Sequence, residues 1–326
     1  MDYYYSYPYS RADIERAEFK ALRKHSKAVG ICIVVYILLQ QLFLSVLMLL
    51  NLTQAYSENP AFQYAVSVLV FGIAAMGVPF FVYSCKKGSL SYRKVLPFDF
   101  PQDKKRTLLF VLSGFALCLG ANYAAVYVEA VLSQAGVELV QPQGNESSSV
   151  LDVFLNFICA AVYAPLVEEF VFRGVIMQPL RRYGDHFAVL ASAFIFGLAH
   201  ASITGFVFAF ICGIAMGYAT LLTGSLWTGI IIHFCNNSFA VLTSELYTAF
   251  PDMGDLPYLA AVYIIFFVGI ASVILLALSK SFRFSKPNTV LTKGQRFKAF
   301  FLSLPMLAAI AGLAFFILSS VGGNQQ

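Results

Sequence analysis

The sequence predicts an all-α fold, a polytopic bundle of transmembrane helices. Of its 326 residues 59% are hydrophobic and 12% charged, and the mean hydropathy is +0.73. A soluble domain carries about 25% charged residues, so this chain has too little polar surface to cover a water-soluble particle. Two further observations agree: the apolar residues form long runs, and the basic residues between these runs are confined to a few stretches.

About nine apolar runs are candidates for membrane spans. A hydrocarbon core about 30 Å thick needs about 20 residues of helix to cross it. The runs cover about 28–50, 61–84, 107–132, 150–180, 187–202, 205–223, 225–245, 257–279 and 299–320. If the sixth and seventh runs form one re-entrant unit at Gly224, the count becomes eight.

All 22 Lys and Arg residues fall in four stretches of the chain. These are the N-terminal tail, the loop after the second run, the segment from Arg173 to Arg182 and the loop from Lys280 to Lys298. With nine spans all four lie on the same side, and basic loops favour the cytoplasm. We therefore expect a cytoplasmic N-terminus and an external C-terminus.

Ionisable residues within the runs need an explanation, because each costs about 2.5–3.5 kcal/mol on insertion scales. Glu168 and His200 lie at equal separations before and after Gly184. A helical hairpin that turns there would place both about 24 Å from the turn, at the rise of an α-helix. His233 and Asn237 share a face of the seventh run and lie at comparable depth. We therefore expect three helices to present these side chains to one another. The other two histidines, His25 in the tail and His186 in a loop, are expected to be solvated.

The fourth run also contains Glu169 and Arg173, at positions i and i+4 with the acid first. This orientation favours an ion pair, which would leave Glu168 to face a cavity. A carboxylate near a histidine can act as a general base on water. His233 and Asn237 could then donate hydrogen bonds to a developing oxyanion.

Other interpretations of these residues stay open at this point. Buried acids and histidines can be purely structural, and ion-coupled carriers also bury such groups. A site of one glutamate and two histidines could bind a metal such as zinc. The sequence has no HExxH motif on one helix, so we predict neither a metal site nor a cofactor, while zinc is not excluded.

Three motifs together resemble those of the CPBP family. They are EEFVFR with Glu168, Glu169 and Arg173, FGLAH with Phe196 and His200, and HFCNN with His233 and Asn237. The family's motifs read EExxxR, FxxxH and HxxxN/D in that order. It groups type II CAAX prenyl proteases with the bacteriocin-processing and immunity membrane proteins of the Abi group.

The resemblance implies an intramembrane endopeptidase of glutamic type. By this resemblance Glu168 and His200 would activate water, and His233 and Asn237 would form the oxyanion hole. Glu169, Arg173 and Phe196 would support them. The expected substrate is a membrane-associated peptide or protein, such as a lipidated, pheromone-type or bacteriocin-type peptide. The expected partners are that substrate and the lipid bilayer, with no nucleic acid, and the expected location is a bacterial plasma membrane.

The predicted organisation has four parts. Residues 1–27 form a basic cytoplasmic tail, 28–149 the N-terminal membrane helices, 150–245 the catalytic core, and 246–326 the C-terminal membrane helices. Two other functions remain alternatives. The chain could be a non-catalytic immunity or scaffold protein of the same family, or a transporter, although no second half repeats the EExxxR pattern.

Overall fold

The computed structural model describes residues 10–85, 97–139 and 149–322. The helices are α1 (Arg11–Leu49), α2 (Thr53–Glu58), α3 (Pro60–Cys85), α4 (Lys104–Gln134), α5 (Val150–Tyr183), α6 (Asp185–Leu198), α7 (Ile203–Thr223), α8 (Leu226–Ala249), α9 (Leu256–Leu278), α10 (Lys293–Phe301) and α11 (Leu304–Ser319). Two-residue strands, β1 (Glu138–Leu139) and β2 (Val321–Gly322), pair antiparallel. The predicted all-α fold is confirmed.

Wider π-helical turns interrupt two of the long helices. They cover Ser67–Gly77 in α3, and Phe157–Tyr163 and Phe170–Ile176 in α5. Such turns change the rotation of side chains around the helix and often occur at functional sites. Between the two π-helical turns of α5, an α-helical turn at Ala164–Glu169 carries the paired glutamates.

Short polar side chains define where many of the helices begin. Each accepts a hydrogen bond from a backbone N–H of the first turn, which would otherwise lack a partner. These residues are Ser10, Asp103, Ser149, Ser202, Ser225 and Thr292, before α1, α4, α5, α7, α8 and α10. Between α7 and α8, Gly224 has φ +71°, a left-handed conformation that glycine adopts without strain. It allows α8 to begin at once, as the predicted turn requires.

Among the described residues, six helices are long and apolar enough to cross a membrane, namely α1, α3, α4, α5, α7 and α9. The α10–α11 pair, bent by 73°, makes up to seven. The protein is therefore a multi-pass membrane protein, but with fewer such helices than the nine predicted. The run 187–202 forms only the 14-residue helix α6. The run 225–245 forms α8, whose apolar character is reduced by His233, Asn236 and Asn237.

The helices pack around α4 and α7 at the centre. Helix α4 contacts α7, α8 and α9, and α7 in turn contacts α6 and α8. Helix α8 also packs against the middle of α5, while α1 packs against α3 and α11. The three motif segments, in α5, at the end of α6 and in α8, are thereby brought together.

The basic part of the predicted tail is helical, because α1 already begins at Arg11. Its Glu18 is buried. The carboxylate accepts hydrogen bonds from Arg182 Nη2 at 2.8 Å and from the Val290 backbone N–H at 3.0 Å. The start of α1 is thus attached to the α5–α6 turn and to the segment before α10. The tyrosine-rich residues 1–9 lie outside the described ranges.

The expectation that His25 is solvated is wrong. Its side chain is buried, with Nδ1 2.7 Å from Tyr83 Oη and Nε2 3.2 Å from the Ile176 carbonyl oxygen. Because α1 extends past its predicted start, His25 packs between α3 and α5. His186 is exposed, as expected, although its Nδ1 lies 2.7 Å from Tyr218 Oη.

Candidate active site

The two adjacent glutamates of α5 face different surroundings. Glu169 has no exposed surface, whereas the Glu168 side chain is 24% exposed. Neighbouring residues of a helix differ by about 100° in direction, since an α-helix has about 3.6 residues per turn. One carboxylate therefore points into the bundle and the other remains accessible, as predicted.

Glu169 is the centre of a buried ionic cluster. Its Oε1 lies 2.8 Å from Arg173 Nη1 and 3.1 Å from His233 Nδ1. Arg173 is 1% exposed. The contact with Nη1 is an ion pair whose angles do not meet those of a hydrogen bond. The predicted pairing of Glu169 with Arg173 is confirmed, and His233 from α8 joins the pair.

His233 also reaches the second glutamate. Its Nε2 lies 3.8 Å from Glu168 Oε2, so the imidazole bridges the two carboxylates. The cluster thus contains two carboxylates, one guanidinium and one imidazole within ion-pair distance of one another. Glu168 Oε2 is buried and has no hydrogen-bond partner among the described residues, so it can accept a hydrogen bond.

Phe196 connects the histidines to the ionic cluster. The Arg173 guanidinium carbon lies 4.3 Å from the centre of its ring, a cation–π contact. The same ring is 4.7 Å from the His200 ring and 6.0 Å from the His233 ring, both edge to face. Phe196 is itself buried. These contacts are consistent with the predicted role of Phe196, which is to support the catalytic side chains.

His200 lies beyond the end of α6, in the turn before α7, and not within a span as expected. Its Nδ1 lies 2.9 Å from the Phe196 carbonyl oxygen, which fixes the ring beside that helix end. Among the ion pairs of the described residues, the partner of Glu168 is His233 and not His200. The structure thus brings His200 close to the cluster through Phe196, where the Glu168 carboxylate acts on it electrostatically without forming an ion pair with it.

Asn237 lies one helical turn after His233 on α8 and has two partners. Its Nδ2 donates to the Ala160 carbonyl oxygen at 2.8 Å, and its Oδ1 accepts from Asn236 Nδ2 at 3.1 Å. Ala160 lies in the first π-helical turn of α5, so Asn237 attaches α8 to α5. Its predicted function as an oxyanion donor stays a prediction.

A cavity of about 160 Å³ opens beside Glu168. Its lining comes from α1, α3 and α5 and is mostly apolar and aromatic. It includes Tyr36, Ser67, Gly72, Cys159, Tyr163 and Glu168. The cavity is large enough for water, which needs about 30 Å³ in the liquid. The partly exposed Glu168 carboxylate thus lines a small apolar cavity between α1, α3 and α5.

Three further residues near the cluster were not predicted from the sequence. Asn236 is buried and holds Asn237, and its adjacency to that residue in HFCNN was an available signal. Thr220 of α7 and Gly229 of α8 lie against Glu169. A Cβ added at Gly229 would stand 2.6 Å from Thr220 Oγ1 and 2.7 Å from Glu169 Oε2. Nothing in the sequence marks these two residues, because their relation to Glu169 arises only from helix packing.

For the peptide hydrolysis that the motif resemblance implies, we expect Gly229→Ala to reduce the rate by about 10- to 100-fold, since a 1 Å misplacement near a reacting group can cost about 10²-fold. The new methyl group displaces Glu169, and Glu169 holds His233. Alanine also favours a helix over glycine by up to about 1 kcal/mol, so the variant should remain folded. The initial rate of peptide release, with thermal unfolding as a check, measures this.

Gly120→Ala in α4 is the matched control. A Cβ there meets only an ordinary contact, 3.7 Å from Phe266. Its rate should equal that of the unmodified protein. If the Gly229→Ala and Gly120→Ala proteins were equally active, close packing at residue 229 would not be what positions Glu169.

The cluster contains Glu and His side chains of the kind that bind metal ions, but Arg173 is part of it as well. Within residues 10–85, 97–139 and 149–322, no group of three or more His, Cys, Asp or Glu side chains is arranged to bind a metal ion. Glu169 and His233 already contact each other, and the Arg173 cation occupies the place beside Glu169 where a metal would need negative charge.

The segment that carries these residues is similar to known membrane peptidases. Residues 150–239 match the family described as type II CAAX prenyl endopeptidase Rce1-like, and this segment contains the three motifs. The chain is 26% identical over 141 residues to "Putative membrane peptidase YdiL" of Bacillus subtilis. It is 31% identical over 158 residues to "Membrane-embedded CAAX protease MroQ" of Staphylococcus aureus. No solved structure matches.

The matches cover part of each protein. They include 42% of this chain and 56% of the Bacillus relative, and 45% of this chain and 62% of the Staphylococcus relative. The family match includes the ion pair of α5, the Phe196–His200 segment and the His233–Asn237 face of α8. The three motifs, their convergence and the matched segment thus make residues 150–239 similar to the type II CAAX prenyl endopeptidases, while the chain spans less than two thirds of the length of either relative.

Proposed function

We propose that this protein is an intramembrane endopeptidase in which Glu168 activates water to hydrolyse a peptide bond. The observation that carries the proposal is the accessible Glu168 carboxylate, which lines a cavity and has His233 Nε2 at 3.8 Å. The family match over residues 150–239 and the names of the two relatives support the same reaction class.

In the proposed step Glu168 takes a proton from a water molecule. The water oxygen forms a bond to the carbonyl carbon of the substrate, and the carbonyl oxygen becomes an oxyanion. His233, held by Glu169, is placed to stabilise this charge. The carbon–nitrogen bond then breaks, and the proton from Glu168 passes to the leaving amine. His200 and Asn237 border this region, with His200 as the predicted partner of Glu168 and Asn237 as the predicted second oxyanion donor.

The proposed substrate is a peptide or protein segment that is associated with the membrane. The apolar, aromatic lining of the cavity beside Glu168 supports a substrate that enters from the bilayer or its surface. Both relatives come from bacteria, which supports a location in a bacterial plasma membrane. A lipidated, pheromone-type or bacteriocin-type peptide fits these conditions.

Incubating the reconstituted protein with host membrane peptides and one farnesylated CaaX peptide tests the proposal. Mass spectrometry should detect shortened peptides, and a divalent-metal chelator should leave their release largely unchanged. Strong inhibition that zinc reverses would overturn the metal-free step. Absence of products from every peptide would favour the alternative, a non-catalytic immunity or scaffold protein of the same family.

A further inference from the structure

A second and larger groove lies away from Glu168, on the other face of α6. Its volume is about 910 Å³, and it is formed by α6, α7, α10 and α11 together with residues 285–287. Most of its wall is apolar, with Leu190, Phe194, Phe210, Phe297, Leu302 and Leu307. Several of these side chains are exposed, among them Leu190 and Phe297. The groove is therefore an apolar surface that the described part of the chain does not cover.

One end of the groove is positively charged. Lys293 and Arg296, both from α10, line it. The Arg296 guanidinium donates from Nε to the Leu291 carbonyl at 2.9 Å and from Nη1 to the Tyr183 carbonyl at 2.6 Å. Neither cation forms an ion pair with a carboxylate of the described residues.

The Asp185 carboxylate, which also lines the groove, already has polar partners. Asp185 Oδ2 accepts a hydrogen bond from the Ser285 backbone N–H at 2.7 Å, and Oδ1 lies 3.5 Å from Arg181 Nε. Both oxygens of Asp185 thus have partners other than Lys293 and Arg296. Lys293 is the first residue of α10, where the helix dipole disfavours a cation. A bound anion would offset this unfavourable placement.

The arrangement of α10 and α11 fits the surface of a bilayer. The two helices are bent by 73° around Leu302 and Ser303. Helix α10 carries basic residues and exposed aromatic residues, and α11 is apolar. A short basic amphipathic helix followed by a bend into an apolar helix is typical of a segment at the membrane interface. A helix pair of this kind would place the charged end of the groove at the headgroup level, and the apolar wall of the groove continues along α11.

We propose that this groove binds a glycerophospholipid with an anionic headgroup. The headgroup phosphate contacts Lys293 and Arg296, and an acyl chain lies between α6 and α11 against Leu190 and Leu307. The lipid thus packs behind the helix that carries Phe196. This is a binding site separate from the proposed active site.

The test is to reconstitute the full chain in phosphatidylcholine nanodiscs that contain a minor fraction of phosphatidylglycerol. The protein is then transferred to mild detergent, and native mass spectrometry measures the lipid retained. We expect the unmodified protein to retain phosphatidylglycerol in preference to phosphatidylcholine. Lys293→Gln should lower this preference about fivefold, the effect of one basic residue near an anionic surface. Lys293→Arg should restore it, and Leu190→Trp, which fills the apolar part, should lower retention of the lipid.

Lys298→Gln is the matched control, because Lys298 is an exposed basic residue of the same helix that does not line the groove. It should retain lipid like the unmodified protein. Equal retention of the two lipids by the unmodified protein, or equal losses in the Lys293→Gln and Lys298→Gln proteins, would overturn the proposal. Millimolar inorganic phosphate should not displace the lipid; if it does, the site binds a free anion and the acyl-chain contact is wrong.

Discussion

Glu168→Gln is expected to lower peptide release by about 10²- to 10⁴-fold, the usual contribution of a general base. Glutamine keeps the size of the side chain but accepts no proton at neutral pH. Glu168 is partly exposed, and its Oε2 has no hydrogen-bond partner in the structure, so the change should leave folding and insertion intact. Initial rates at saturating peptide concentration measure the effect.

The matched control for Glu168→Gln is Glu58→Gln, which neutralises an exposed carboxylate on α2. Its rate should match that of the unmodified protein. A Glu168→Gln protein with full activity would remove Glu168 from the mechanism. If that variant also kept any immunity phenotype, the non-catalytic alternative would be favoured.

Arg173→Met should lower the free energy of unfolding by about 3–5 kcal/mol, the cost of leaving one partner of a buried ion pair without the other. Glu169 is fully buried, and Arg173 is both its ion-pair partner and the cation over the Phe196 ring. Methionine preserves much of the apolar packing, so the loss reflects the uncompensated carboxylate. Equilibrium unfolding in mixed detergents measures it.

The double variant Glu169→Gln/Arg173→Met separates charge from packing. Glutamine at residue 169 can still accept from His233 Nδ1 but carries no charge. We expect this protein to recover most of the stability lost by Arg173→Met. A double variant as unstable as the single one would show that Arg173 stabilises the bundle by packing, and that neutralisation of Glu169 is unimportant.

The sequence was sufficient to predict the contacts that depend on local spacing. Glu169 and Arg173 lie four residues apart on one helix, and their ion pair followed from that spacing. The hairpin turn at Gly184 and the start of α8 after Gly224 were marked by glycines with positive φ. The three motif segments come together because α5 packs against both α6 and α8.

The position of His200 relative to Glu168 could not be predicted in the same way. The estimate assumed regular α-helices through Glu168 and His200. Instead, π-helical turns flank the glutamates in α5, and α6 ends at Leu198. A π-helical turn changes both the rise and the rotation of the following residues. Glu168 therefore meets His233 of α8, while His200 lies in the turn after α6.

The number of spans differed for a similar reason. The fifth apolar run extends to residue 202, but α6 ends at Leu198. Apolar composition alone does not show where a helix ends inside the bundle. In the structure Ala201 adopts φ +54°, which ends the helical path before Ser202 begins the next helix. Thr220 and Gly229 were inaccessible to prediction because their contact with Glu169 depends on the approach of α7 and α8.

We propose that Glu168 and His233 act as one unit in peptide hydrolysis. A double-mutant cycle tests it directly, with rates of peptide release from the unmodified protein, Glu168→Gln, His233→Gln and the double variant. Residues that act as a unit have strongly non-additive effects. We predict that the double variant is no slower than the slower single variant. Losses that multiply, so that each change acts independently, would contradict the claim.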